Sequence, residues 1–131
     1  MITGLIDRDL SEKAVISCDA ILGEAVELMD SIGYGMLVSL DQNRVVKGVF
    51  TDGDFRRIVR LNNKPIAALM TDNLMAHSSV EPLVVFADDT FGEVCGRLSH
   101  RLYDLVVIDR ESREYLGLIS SFSIFSYLLD Q

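Results

Sequence analysis

The run Gly48-Val49-Phe50-Thr51-Asp52-Gly53-Asp54-Phe55-Arg56-Arg57 contains a change of structural period. Val45 to Phe50 reads as a strand. Thr51 then caps a helix from about Asp52 to Leu61, in which Phe55, Ile58 and Val59 fall at helical spacing. The same switch recurs at Gly117-Leu118-Ile119-Ser120, ahead of an apolar helix from Phe122 to Leu129.

Working outward from these two runs, an offset of 69 residues aligns Val15–Asn62 with Val84–Gln131 without a gap. Identities fall at Val15/Val84, Asp19/Asp88, Gly23/Gly92, Glu24/Glu93, Tyr34/Tyr103, Val38/Val107, Arg44/Arg113 and Gly48/Gly117, and core-type positions between them match in kind. The chain is thus an internal duplication. In the first copy, Lys13 to Ser17 is a short strand, Asp19 is expected to cap a helix from Ile21 to Ser31, and Gly33 and Gly35 end it. Met36 to Leu40 and Val45 to Phe50 form a hairpin around Asp41-Gln42-Asn43. In the second copy, the strands are Leu83 to Phe86, Leu105 to Asp109 and Tyr115 to Ser120, with a helix from Phe91 to Leu102. Each copy is therefore β-α-β-β-α, of α+β class, and leaves apolar surface that predicts pairing of the two. The expected boundaries are 1–62 for the first unit with its N-terminal lead-in, 63–82 for a linker with a short helix from Pro65 to Met70, and 83–131 for the second unit.

Composition narrows the function classes. The 131 residues carry 12 Lys and Arg against 20 Asp and Glu, a net charge of −8, with 49% apolar residues. That balance argues for a globular chain and against partners that need a basic surface, so neither nucleic acid nor membrane is expected. The longest apolar runs, Ile66–Met70 and Leu83–Ala87, fall far short of the ~20 residues of a membrane span. With two cysteines and no basic, apolar start, a cytoplasmic location is expected.

Two tandem β-α-β-β-α units, each with a glycine, two apolar residues and a hydroxyl residue before the closing helix, resemble a pair of CBS domains, also called a Bateman module. The resemblance covers about Ala14 to Gln131. The run Gly48 to Arg57 is similar to the pairs appended to bacterial arabinose 5-phosphate isomerases and to some sugar-phosphate nucleotidylyltransferases. It implies a pseudo-two-fold pair that binds AMP, ADP, ATP or a related phosphorylated ligand in a cleft between the units, without catalysis. It also implies a homodimer and signal transduction to an associated sugar-phosphate enzyme. The family pairs a hydroxyl residue with an aspartate three positions on, matched by Thr51 and Asp54. The second copy has Ser120 and Ser123, so one competent and one degenerate site are implied. Ile16, Gly35 and Met36 fall where the family's clefts receive the base.

The residues themselves leave two readings open for the Thr51 segment. A helix start offers N–H groups to an anion, Gly53 obstructs nothing, Asp54 accepts from a vicinal diol, and Arg56 and Arg57 can meet phosphate. Thr51-x-x-Asp54 is equally close to a capping box, with Asp52 and Asp54 favoured at a helix start on dipole grounds. The alternative function is a ligand-free association module. Cys18, Cys95, His77 and His100 have no metal-ligand spacing, and the histidines are expected at the surface.

Overall fold

A computed structural model describes residues 2–79, 84–98 and 104–130. Pro82, Leu83, the helix positions 99–102 with His100, Tyr103 and Gln131, which figure above, lie outside them. The fold is α+β, with two three-stranded sheets whose strands stand in sequence order. The chain opens with a 3₁₀ turn (Ile2–Leu5) and α1 (Arg8–Lys13).

The first unit contains β1 (Val15–Ser17), α2 (Leu22–Ile32), β2 (Met36–Leu40), β3 (Val46–Thr51), α3 (Asp52–Leu61) and a short α4 (Ile66–Leu69). β1 runs parallel to β2 with Val15 beside Val38, and β2 runs antiparallel to β3 with Met36 beside Thr51. A parallel pair needs a crossover, which α2 supplies by burying Leu22, Ala25 and Met29 at three- and four-residue spacing. Its cap is Ile21 rather than Asp19: the Ile21 N–H donates to the Glu24 carboxylate at 3.0 Å, and Asp19 lies outside the helix. The helix ends where Gly33 takes the left-handed conformation (φ 65°) that costs other residues a steric penalty.

Residues 63–79, which fall in the stretch 63–82 expected as a linker, are part of this unit. Ser79 exchanges two backbone hydrogen bonds of 2.9 Å with Val49, so the outer edge of β3 is partly paired. This requires Gly48: a Cβ there would stand 2.7 Å from the Ser79 carbonyl oxygen. The segment is pinned by Asp72, which accepts from Lys64 Nζ at 3.0 Å and lies 2.9 Å from His77 Nε2. The His77 bond and then Lys64 hold the Asp72 carboxyl below the usual aspartate range. His77, expected at the surface, is therefore a half-buried structural residue.

The second unit contains β4 (Val84–Phe86), α5 (Phe91–Leu98), β5 (Leu105–Ile108), β6 (Tyr115–Ile119) and α6 (Ser121–Leu129). β4 is parallel to β5 and β5 antiparallel to β6. Its core packs Val85, Val94, Leu105, Val107, Ile119 and Ile124 against Ile2 from the chain's own start. Residues 2–12, grouped above with the first unit, belong structurally with 84–130. The reason is again an open strand edge. The Leu118 N–H donates to Ser11 Oγ at 2.7 Å, the Leu118 carbonyl accepts from the Asp7 N–H at 2.9 Å, and the Tyr115 hydroxyl donates to the Ser11 carbonyl at 2.8 Å. A Cβ at Gly117 would stand 2.6 Å from Ile6, just as one at Gly48 would crowd Met75. Ile6 and Met75 are themselves 69 residues apart, so the duplication extends back past α1. Each repeat's lead-in covers the third strand of the other repeat's unit.

Ser11→Ala is expected to lower stability by about 1–3 kcal/mol, the cost of leaving the buried Leu118 N–H unpaired. Urea denaturation checks this; a loss below ~0.5 kcal/mol contradicts the role given to Ser11.

Candidate functional site

β3 delivers Thr51 to the start of α3 beside Met36 and Gly35. The Asp52 N–H donates to the Gly35 carbonyl at 2.9 Å, and a Cβ at Gly35 would stand 3.0 Å from the Asp52 carboxyl carbon. Seven of the expected site residues, Gly35, Met36, Thr51, Gly53, Asp54, Arg56 and Arg57, thus gather at one end of the sheet. The capping box is formed in full. The Asp54 N–H donates to Thr51 Oγ1 at 3.1 Å, and the Thr51 N–H donates to Asp54 Oδ2 at 2.9 Å.

The box does not exhaust these groups. Among the described residues Asp54 Oδ1 accepts only Arg57 Nη1, at 3.0 Å, so within them each oxygen of a carboxylate with about four lone-pair sites keeps one open. The Gly53 N–H has no partner among the described residues, and a Cβ there would meet nothing closer than 3.6 Å. Arg56 reaches Asp52 at 3.4 Å, with both side chains largely exposed, whereas the Asp54 side chain is only 15% exposed. An exposed pair such as Arg56–Asp52 contributes ~0.3–0.5 kcal/mol, so Arg56 exchanges its partner at little cost. The helix start thus brings together an N–H donor, a carboxylate that is only 15% exposed and two exposed guanidinium groups.

Ile16 lies elsewhere. It pairs with Ser39, three positions along β2 from Met36, or ~10 Å by strand rise. There it lines a separate surface hollow with Asp41 and Arg44. Ser120 belongs to the second unit. Cys18 follows β1, Cys95 lies in α5, and no cluster of three potential metal ligands forms among the described residues.

The CBS domain family matches residues 8–61 and again residues 66–130. The chain belongs to the CBS-domain family. Residues of this CBS pair are 38% identical over 65 positions to the arabinose 5-phosphate isomerase KdsD of Yersinia pestis, a match covering 47% of this chain. The match takes in only 20% of that protein. Among solved structures, a CBS domain protein of Pyrobaculum aerophilum complexed with AMP aligns over 98% of this chain and 95% of its own, at 18% identity and a TM-score of 0.76. A CBS-domain protein of Agrobacterium tumefaciens aligns over 97% and 98% at 20% identity and 0.76. A conserved protein of Geobacillus kaustophilus aligns over 99% and 96% at 15% identity and 0.81. At these identities the structures attest the fold.

The two CBS repeats differ at the start of the closing helix. In the second, the Ser123 N–H donates to Ser120 Oγ at 3.1 Å, so the hydroxyl cap is kept without the acid. Asp104 stands at the position of Gly35, and its Oδ1 accepts from the Ser121 N–H at 2.6 Å. A carboxylate of the protein itself thereby occupies the helix start where the first repeat uses a backbone carbonyl. The sequence reading missed Asp104; the signal was an acid 69 residues after a glycine. Asp104→Ala is expected to destabilise the chain by ~0.5–2 kcal/mol, as for a lost helix cap. Thermal or urea unfolding reads it, and an unchanged midpoint contradicts the capping role.

Proposed function

We propose that this CBS pair is a non-catalytic, cytoplasmic regulatory module that binds an adenine nucleotide or a related phosphorylated ligand. The binding groups are those at the start of α3 in the first repeat. The observation that carries this reading is the unused bonding capacity there: the Gly53 N–H, the open lone pairs of the nearly buried Asp54, and the exposed Arg56 and Arg57. The carboxylate takes a ribose diol, the helix start and the guanidinium groups take phosphate, and Met36 offers the base an apolar contact. The AMP held by the Pyrobaculum aerophilum relative supports the ligand class. The likeness to KdsD supports a sugar-phosphate enzyme as the partner that senses occupancy. Occupancy acts by favouring one of two conformational states, to the extent that the ligand's affinity for them differs.

Asp54→Ala is expected to weaken AMP binding at least tenfold, on the order of 1.4 kcal/mol. Calorimetry at a temperature where both proteins are folded makes the comparison, and equal affinities sink the assignment.

A second reading, association of copies, is favoured by α6, where Phe122 is 75%, Leu129 68% and Phe125 50% exposed. Large exposed apolar side chains on one helix mark an interaction face. We expect a concentration-dependent homodimer in sedimentation experiments, weakened by Phe122→Asp. A monomer at every concentration contradicts this reading.

A further inference from the structure

The two halves of the chain differ in how far the side chains around their first long helices are buried, and a cleft lies there in the second. In the first unit, the segment opened by Pro65 lies across the start of α2. The Gly23 N–H donates to the Met70 carbonyl and the Leu22 N–H to the Asp72 carbonyl, both at 2.8 Å. Leu69 of that segment is buried, and in the same unit Leu22, Leu74 and Ile58 are buried as well. The offset of 69 residues maps those last three onto Phe91, Leu5 and Tyr127 of the second unit. There Phe91 and Leu5 are only half-buried and Tyr127 is 36% exposed. With Ile2 and Ala87 they line a cleft of about 510 Å³, within the range of ordinary binding pockets.

Two further observations fix the chemistry of this cleft. At Gly23 a Cβ would stand 3.2 Å from the Met70 carbonyl oxygen, whereas at Gly92 the nearest described atom is Thr90 Oγ1 at 4.0 Å. The acids at the rim are already engaged, since Arg110 binds Asp88 and Asp89 at 3.1 Å each. What remains open is apolar: the edge of the second unit's core, with the Phe91 and Tyr127 rings 4.4 Å apart.

We propose that this cleft receives a polypeptide segment of a partner protein, one helical turn that presents a single leucine-sized side chain. The occupant is argued from the chain itself. Ile66-Ala67-Ala68-Leu69 is such a turn, it buries only Leu69, and it lies at the repeat-equivalent place in the first unit. The partner would bind the second unit as α4 binds the first, with the leucine as anchor and the other side chains in solvent. This site is separate from the start of α3 and does not depend on the nucleotide reading.

The test is a titration of the isotope-labelled full chain with a blocked peptide of residues 64–71 (Lys-Pro-Ile-Ala-Ala-Leu-Met-Thr), followed by amide NMR. Saturable shifts are expected at Leu5, Phe91, Gly92 and Tyr127. Binding is expected to weaken about tenfold when the peptide leucine is replaced by serine, and likewise in the Tyr127→Ser chain, whose altered side chain is partly exposed. No saturable shift at millimolar peptide, shifts confined to other residues, or an equal response to the serine peptide would each overturn the proposal.

Discussion

A three-stranded sheet with one strand order has an edge it cannot pair, and both repeats of this chain meet that constraint in the same way. β3 and β6 each present backbone groups that would otherwise lie unpaired against a neighbouring segment. Ser79 pairs with Val49 through two main-chain bonds, while Ser11 and Asp7 together satisfy Leu118. The close approach explains Gly48 and Gly117, since a side chain at either position would collide with the covering segment. Once its edge is covered, each third strand holds its last residues in place, and those residues launch the closing helix. The position of Thr51, and so of the candidate site, follows from this packing.

At that helix start, capping and the proposed ligand recognition call on the same atoms without excluding each other. Thr51 and Asp54 satisfy one another's backbone groups, as a helix beginning in a half-buried place requires. A hydroxyl oxygen and a carboxylate have more acceptor sites than the cap consumes, so the cap orders the groups while leaving them able to bind. The pairing of Arg57 with Asp54 and of Arg56 with Asp52 keeps the guanidinium groups close by, and the exposed Arg56–Asp52 pair is broken at small energetic cost. In the second repeat Asp104 takes the helix start, and the acid of the first repeat's box is replaced by Ser123. The two copies have therefore diverged at the start of the closing helix, where the proposed site lies in the first.

Much of this was legible in the sequence because local periodicity and capping residues carry it. The change of period at Thr51, the proline start of α4 and the glycine end of α2 all have side-chain signatures. The exchange of lead-in segments does not, because the Val49–Ser79 pair is made by main chain alone and any residue supplies it. Ser11 and Tyr115 are an ordinary serine and tyrosine until residues more than a hundred positions apart are brought together. The cap at Ile21 was missed for a related reason: carbonyls of Met70 and Asp72 replace the side-chain oxygen expected from Asp19. Ile16 is expected beside the site only by resemblance, whereas strand register places it next to Ser39, three positions along β2 from Met36.

An acidic chain thus retains a small, locally balanced patch where phosphate can be met by a helix start and placed arginines rather than by net charge. We propose that this capacity belongs to the first repeat and is closed in the second, where Asp104 meets the helix start. Titrating the isotope-labelled chain with AMP and following backbone amides tests it most directly. One saturating site is expected, with the main shifts at Gly35, Met36 and Asp52 to Asp54. No saturable shift at millimolar AMP, or shifts confined to Ser120 to Ser123, would contradict it.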